Sequence, residues 1–263
     1  MARASLKNVC RLIEATKNAL PPEQEFLMDL KRSIELTDAK NRRKPSQAYK
    51  PSSMTCIRNM WYQMTGREQD AGTSNYSLIG ICNSGTDIHE RIQKAVSQMK
   101  TNGIDCEYID VADFVTKRKL DYLEIVSKNG METKLFHKEL NMSFLCDGII
   151  RYKGHYYILE LKTESSYKWQ SRKGVDPKHY MQGTAYSVAF DIDEVIFVYI
   201  TRDVLDMKAF MFVPTAEQKE TLVGRITECD EWVSKLICPP KPDDVPKSAC
   251  EYCAYKNSCR SEP

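Results

Sequence analysis

The alternation of apolar and polar positions is clearest in the stretch DGIIRYKGHYYILELK, residues 147–162, where two short apolar segments flank a Lys-Gly pair. Such a pair favours a two-residue turn between antiparallel strands. A turn there pairs residues whose numbers sum to 307, so Asp147 faces Glu160. Because side chains alternate along a strand, Lys162 points to the same face as Glu160. The pattern therefore predicts two carboxylates and an ammonium at one end of a hairpin.

Apolar residues three and four positions apart predict helices elsewhere, and short apolar runs predict strands. The predicted helices cover residues 4–37 (interrupted at Pro21-Pro22), 51–66, 85–100 (with Ser84 and Asp87 as a capping box), 179–190 and 216–236. The predicted strands cover residues 133–146, 194–202 and 207–213, and residues 104–130 hold a helix or a strand.

This order of elements predicts an α/β protein with a restriction-endonuclease-like mixed sheet core. Helices flank the core on its N-terminal side, and a tail containing cysteines follows it. We expect residues 1–50 to form a helical extension with a basic linker and residues 51–263 to form the main domain. The linker, residues 40–50, is either a solvated loop or a contact with a DNA backbone.

Composition and the absence of certain motifs argue against a membrane-spanning, secreted or P-loop motor protein. The 263 residues carry a formal net charge of +2, so any surface that binds nucleic acid must be local. The longest apolar run, residues 195–200, is too short to cross a bilayer, and the N-terminal segment lacks the apolar region of a secretory signal. We therefore expect a soluble cytoplasmic protein. The P-loop pattern GxxxxGK[ST] does not occur, which argues against a built-in helicase or ATPase motor.

The predicted hairpin end has the chemistry of a metal site. Two neighbouring carboxylates repel each other unless a cation lies between them, and oxygen ligands suit a divalent metal. The alternative is a solvated face on which Asp147, Glu160 and Lys162 form salt bridges. The apolar residues Ile158 and Leu159, which precede Glu160, argue against that alternative because charges at the end of a buried strand are costly unless they are paired or functional.

Three short motifs stand out along the chain. Asp147, followed 13 residues later by Glu160-Leu-Lys, resembles the PD-(D/E)XK nuclease signature. The segment GTDIH, which ends at His89, resembles the GxxxH motif of the RecB-like branch. QGTAY, residues 182–186, resembles the QxxxY motif of the same branch.

The resemblance implies a Mg²⁺- or Mn²⁺-dependent nuclease. Asp147 and Glu160 would hold the metal, helped by the Leu161 carbonyl and by His89. Lys162 would orient the attacking water and stabilise the charge of the transition state. Glu139 is a further candidate acid.

The cysteines suggest a second metal centre. Ten cysteines in a cytoplasmic chain favour metal or redox chemistry over disulfides. Cys250, Cys253 and Cys259 have the spacing of a metal cluster that lacks one ligand, and four thiolates suit either zinc or a 4Fe–4S cluster. The sequence is similar to the CRISPR-associated iron–sulfur exonucleases and to the AddB nuclease domain, which implies 4Fe–4S with Cys56 as the fourth ligand. Cys82 is the nearest alternative to Cys56.

A basic strip with aromatic residues follows the predicted hairpin. Cations and rings together suit single strands, where phosphates meet charges and bases stack. The alternative is that the rings pack beneath a helix. The candidate DNA-binding residues are Lys168, Trp169, Arg172, Lys173, Gln182 and Tyr186.

These features predict a DNA exonuclease that acts from DNA ends and carries a structural 4Fe–4S cluster. A structure-specific endonuclease or resolvase would use the same site. The other alternative is an assembly or regulatory module that acts through a protein partner in DNA processing.

Overall fold

The computed structural model describes residues 20–41, 47–70, 75–251 and 253–262. The chain divides into two compact units. Within the described residues, the first unit comprises residues 20–41 and 75–80, and the second comprises residues 47–70 and 81–262.

Eight strands and nine α-helices are present in the described part of the chain. The strands are β1 (Cys106–Ile109), β2 (Leu123–Asn129), β3 (Glu132–His137), β4 (Met142–Cys146), β5 (Gly148–Tyr152), β6 (His155–Glu164), β7 (Val195–Thr201) and β8 (Met207–Phe212). The helices are α1 (Pro22–Asn41), α2 (Ile57–Met64), α3 (Tyr76–Gln98), α4 (Val111–Arg118), α5 (Ser166–Ser171), α6 (Tyr180–Phe190), α7 (Ala216–Lys235), α8 (Lys247–Glu251) and α9 (Lys256–Ser261).

The strands form two sheets. The larger sheet has the order β1-β5-β6-β7-β8, in which β6 and β7 are parallel and every other pair is antiparallel. The smaller sheet is antiparallel and has the order β2-β3-β4. The prediction of an α/β protein with a mixed sheet is confirmed.

The predicted hairpin register is also confirmed. Tyr152 pairs with His155, and Gly148 pairs with Leu159, so paired numbers sum to 307 along β5 and β6. Lys153 and Gly154 both have positive φ, which is the backbone conformation of the tight hairpin turn that this pair favours. Asp147 itself lies just before β5 rather than inside it.

The main apolar core of the second unit joins residues of both sheets with residues of α2, α4, α6 and α7. Eight of the eleven residues of α6 are buried, as expected for a helix with few polar positions. Gly183 allows the close approach, because a Cβ at that position would lie 2.9 Å from a ring carbon of Phe212. A smaller apolar cluster joins Ile88 of α3 to Leu159 and Leu161 of β6.

Three of the predicted elements differ from the structure. Residues 133–146 form most of β3 and all of β4, because the chain turns at residues 138–141. Residues 51–66 hold a 3-10 turn, Pro51–Ser53, and then α2, so Cys56 precedes α2 instead of lying inside a helix. The helix predicted over 85–100 begins at Tyr76.

The early start of α3 removes the predicted capping box. Ser84 and Asp87 lie in the interior of the helix, and Asn75 caps it instead by accepting a hydrogen bond from Leu78 N at 2.9 Å. Residues 4–19 of the first predicted helix and residues 42–46 of the basic linker lie outside the described residues.

The first unit is small. Its helix α1 has no buried residue, and the N–H of Tyr76 donates to the Glu35 carboxylate at 3.0 Å. Within the residues that the structure describes, no helix combines the length and the apolar composition needed to cross a membrane.

Candidate active site

Asp147 is fixed at the point where β5 stops pairing with β6. Gly148 is opposite Leu159, so the N–H of Leu161 lies beyond the end of the antiparallel ladder. That N–H donates to Asp147 Oδ2 at 2.7 Å, and His89 Nδ1 lies 3.2 Å from Asp147 Oδ1. The acid before one strand is therefore held against the backbone of the next.

Glu160 and Lys162 form a shared network with Gln182 of α6. Lys162 Nζ donates to Glu160 Oε1 at 2.6 Å and to Gln182 Oε1 at 2.9 Å. Gln182 Nε2 donates to the same Glu160 oxygen at 2.7 Å. One glutamine thus positions both the ammonium and the carboxylate, because its amide has a donor for the acid and an acceptor for the lysine.

Tyr186 supports this network from one helical turn further along α6. Its hydroxyl accepts from Gln182 Nε2 at 3.0 Å and donates to the Leu145 carbonyl at 2.9 Å. Both Gln182 and Tyr186 are buried. In this arrangement the two residues support Glu160 and Lys162 from the interior, whereas the sequence analysis predicted that they contact DNA.

Burial dominates the electrostatics of Glu160. The residue is only 3% exposed, and burial raises the pKa of its carboxyl. The charge of Lys162 lowers this pKa and that of Asp147 raises it. Burial lowers the pKa of His89, but its hydrogen bond to Asp147 and the nearby acidic charges outweigh burial, so the pKa is raised.

The donor set at this site fits a small divalent cation. Glu160 Oε2 is buried and has no hydrogen-bond partner among the described residues. Contact of Nδ1 with Asp147 leaves Nε2 of His89 as the nitrogen able to bind a metal, a common arrangement for histidine ligands. Within the described ranges, no three His, Cys, Asp or Glu side chains form a ready-made metal-binding group. Lys162 supplies the counter-charge to Glu160 in the structure as it stands.

Gln93 and Tyr108 hold the backbone of Asp147, and sequence reasoning missed both. Gln93 Nε2 donates to the Asp147 carbonyl at 2.7 Å, and the Tyr108 hydroxyl donates to the same oxygen at 3.0 Å. Gly148 makes room for the tyrosine, since a Cβ there would lie 2.6 Å from its ring. The one available signal was the spacing of Gln93, which is four residues after His89 and so shares its helix face.

The candidate acid Glu139 is not part of this site. It is exposed in the turn between β3 and β4, whereas Asp147 follows the other end of β4.

The basic strip on and after α5 is largely engaged within the protein. Arg172 makes a two-pronged contact with Glu164, with Nε and Nη2 each 2.7 Å from a carboxylate oxygen, and its side chain is 7% exposed. Trp169 Nε1 donates to the Tyr199 carbonyl at 3.1 Å, and Lys168 Nζ lies 3.1 Å from Asp176 Oδ2. Lys173 is exposed. Trp169 lies on α5 and packs against the core, in partial agreement with the interpretation in which the rings are packed, whereas the other ring of the strip, Tyr167, is exposed.

Three of the four predicted cluster ligands meet at one cavity. Cys56, Cys250 and Cys253 line a cavity of about 240 Å³ that Lys162 and Gln182 also line. Burial raises the pKa of Cys56 to about 11 and also raises that of Cys253, on which the charges of Cys250 and Cys259 act in the same direction. The four predicted ligands therefore lie near one another and the described cysteines are free thiols, but among the described residues they do not form a group arranged to hold a metal ion.

Other cysteines occupy different surroundings. Cys82, the predicted alternative to Cys56, lies on α3 and lines another cavity together with His89. Cys238 accepts from Arg58 Nε at 3.3 Å, and Cys259 accepts from Arg58 Nη1 at 3.7 Å. A buried guanidinium thus contacts one predicted ligand, Cys259, and one cysteine outside the predicted cluster, Cys238.

No protein-family model matches the sequence, and no curated protein matches it. A solved structure described as "Crystal structure of SSO0001" is similar to this chain, with 17% sequence identity and a TM-score of 0.47 over 92% of this chain and 98% of that one.

Proposed function

We propose that this protein is a Mg²⁺- or Mn²⁺-dependent DNA exonuclease of the RecB-like PD-(D/E)XK type. The observation that carries the proposal is the convergence of Asp147, Glu160 and Lys162 at one end of the hairpin. Gln182 bonds both Glu160 and Lys162, and the second oxygen of Glu160 is buried without a partner among the described residues. A cytoplasmic setting is part of the proposal.

Each residue has a definite task in phosphodiester hydrolysis. Asp147, Glu160, His89 and the Leu161 carbonyl would hold the metal ion. When bound, Mg²⁺ or Mn²⁺ lowers the pKa of a water molecule and offsets charge on the scissile phosphate.

Lys162 would donate a hydrogen bond to the attacking water or to a phosphoryl oxygen. Water attacks phosphorus, the P–O bond to one sugar breaks, and that sugar oxygen leaves as a hydroxyl. Because Glu160 and Gln182 fix the ammonium beforehand, no reorganisation is needed as negative charge develops on the phosphoryl group.

A nuclease assay with end-labelled linear DNA and closed circular DNA, run with Mg²⁺ and with Mn²⁺, tests this function. We expect the linear substrate to be shortened from its ends. Asp147→Asn, Glu160→Gln and Lys162→Ala should each abolish cleavage, whereas Glu139→Gln, which removes an exposed acid away from the site, should not. An active Lys162→Ala protein would disprove the mechanism.

The same assay separates the alternatives. Cleavage of circular DNA as fast as linear DNA would indicate a structure-specific endonuclease or resolvase. A purified chain that cleaves neither substrate but binds a protein partner through residues 1–50 would indicate an assembly or regulatory module.

We also propose that Cys56, Cys250, Cys253 and Cys259 hold a 4Fe–4S cluster, with Zn²⁺ as the alternative. Three of them share one cavity wall, and Cys259 lies near Cys253. Their position next to Lys162 and Gln182 means that these cysteines would help to shape the cavity beside the active site.

A further inference from the structure

Two cavities meet at Lys162. One, of about 360 Å³, lies on the His89 side and is lined by Thr86, Leu161 and Arg202. The other, of about 240 Å³, lies on the Gln182 side and is lined by Asn59, Lys178 and His179. Lys162 lines both cavities, so the ammonium proposed to act on the scissile phosphate has room for further substrate on each side.

Each cavity contains a second cation. Arg202 Nη1 donates to the Thr163 carbonyl at 3.4 Å, and Arg202 makes no salt bridge with a carboxylate among the described residues. Lys178 likewise has no ion pair to a described acid, and Thr55 Oγ1 fixes its backbone by donating to the Lys178 carbonyl at 3.0 Å. Lys168 and Arg172, the cations that the sequence favoured, are instead paired with acids.

The charge at Lys178 is unfavourable in the structure as it stands. Burial lowers its pKa, and the neighbouring charges of Lys168 and Lys162 lower it further, while Asp176 raises it. Like charges brought together in a partly buried place destabilise one another unless an anion joins them. Lys162 and Lys168 are already paired with Glu160 and Asp176, and a bound phosphate would supply an anion for Lys178.

The surroundings favour phosphate over a base or a peptide carboxylate. The smaller cavity is lined by the exposed Ser52 hydroxyl and by the Asn59 amide, which can both donate to phosphate oxygens, while the hydroxyls of Ser53 and Thr55 donate to main-chain carbonyls. The larger cavity presents Arg202, whose planar guanidinium matches phosphate geometry. Glu132 also lines the larger cavity, so a phosphate there is expected on the Arg202 side.

We propose that Arg202 and Lys178 bind backbone phosphates on opposite sides of the scissile phosphodiester. A single DNA strand would then cross Lys162 from the His89 cavity to the Lys178 side of the Gln182 cavity, and the proposed cluster would occupy the cysteine side of that cavity. This inference rests on the proposed nuclease function and adds two substrate-binding residues to it.

The test is the salt dependence of binding to a single-stranded DNA oligonucleotide, measured with chelator so that no cleavage occurs. Each phosphate contact adds about 0.7 to the slope of log Kd against log salt concentration. We expect Arg202→Gln and Lys178→Gln each to reduce the slope by about 0.7 and to weaken binding on the order of tenfold. The double variant should lose about twice as much slope.

Matched variants control for charge and folding. Lys117→Gln removes one exposed positive charge on α4, outside both cavities, and should leave the slope unchanged. Arg202→Lys and Lys178→Arg keep the charge and should keep the slope. If a glutamine variant does not fold by circular dichroism, Arg202→Met or Lys178→Met, which retain the aliphatic stem, gives the same comparison.

The possible results distinguish failure of the two phosphate contacts from failure of the proposed nuclease function. Slopes for Arg202→Gln and Lys178→Gln equal to that of Lys117→Gln would overturn the inference, even if the wild-type protein cleaves DNA. If the wild-type protein cleaves no DNA with either metal but Arg202→Gln and Lys178→Gln still reduce the slope, the nuclease proposal is overturned and the two phosphate contacts are supported.

Discussion

The carboxylate of Asp147 accepts a hydrogen bond of 2.7 Å from the main-chain N–H of Leu161. This bond joins an acid that precedes β5 to the backbone between Glu160 and Lys162 on β6. Because the donor is a main-chain group, the orientation of Asp147 depends on how its own backbone is held. Gln93 and Tyr108, which both donate to the Asp147 carbonyl, supply that support.

Gln93→Met should lower the proposed nuclease activity by about 10- to 100-fold, the usual effect of removing a group that orients a metal ligand. The loss should appear mainly in kcat and should be accompanied by a higher metal requirement. It should also lower the free energy of unfolding by about 0.5–1.5 kcal/mol, since the Asp147 carbonyl loses one of its two donors and keeps Tyr108. Steady-state kinetics across metal concentrations, with urea unfolding, measures both effects.

Gln98→Met on the same helix is the control for Gln93, because Gln98 is exposed. An unchanged metal requirement in Gln93→Met would contradict a positioning role.

Gln182→Met should misplace Lys162 and Glu160 together, since one amide bonds both side chains. We expect a decrease in kcat/KM of about 10- to 100-fold. The exposed Gln170→Met is the matched control. Equal activities of these two variants in the linear-DNA assay would show that the network is dispensable.

Cys56→Ser should lose the proposed metal centre, because Cys56 shares a cavity wall with Cys250 and Cys253, whereas Cys82→Ser should retain it. The measurement is iron and zinc content with visible absorption, on protein purified without oxygen. Brown wild-type protein with about four irons per chain supports the cluster. Colourless protein with one zinc ion per chain would show that the four cysteines hold zinc and not an iron–sulfur cluster.

Arg172→Gln should destabilise the protein by about 3–5 kcal/mol, because it leaves the buried Glu164 without its ion-pair partner. Lys173→Gln, at the exposed neighbouring position, should change stability by less than about 0.5 kcal/mol. Chemical denaturation compares the two. If the Arg172→Gln protein is as stable as the wild type but binds DNA more weakly, Arg172 contacts DNA as the sequence predicted.

Gly148→Ala should destabilise the protein by about 1–3 kcal/mol, because its Cβ would lie 2.6 Å from the Tyr108 ring. Gly224→Ala, in the interior of α7 with open space around it, should stabilise the protein by up to about 1 kcal/mol. Thermal unfolding of both variants checks the opposite signs, and equal shifts would argue against the close packing of Tyr108.

The sequence by itself determined the features that depend on neighbouring residues. The alternation around Lys153-Gly154 fixed the register of β5 and β6, because a two-residue turn leaves one way to pair the flanking strands. The same register predicted that Asp147 and Glu160 would lie at one hairpin end. Helix α6 and strands β7 and β8 followed from local patterns of apolar residues for the same reason.

Only the tertiary structure decided which polar side chains meet. Gln93 donates to the Asp147 carbonyl, and Arg172 donates to the Glu164 carboxylate. Both contacts form when the elements of the fold pack together, and the pattern of apolar and polar residues does not predict them. Packing also assigned β2, β3 and β4 to a separate sheet. In the folded protein Arg172 is paired with Glu164, so Arg202 and Lys178 are the cations proposed to bind phosphate. A buried charge is stable only when it has a partner, and the fold determines which partner is close.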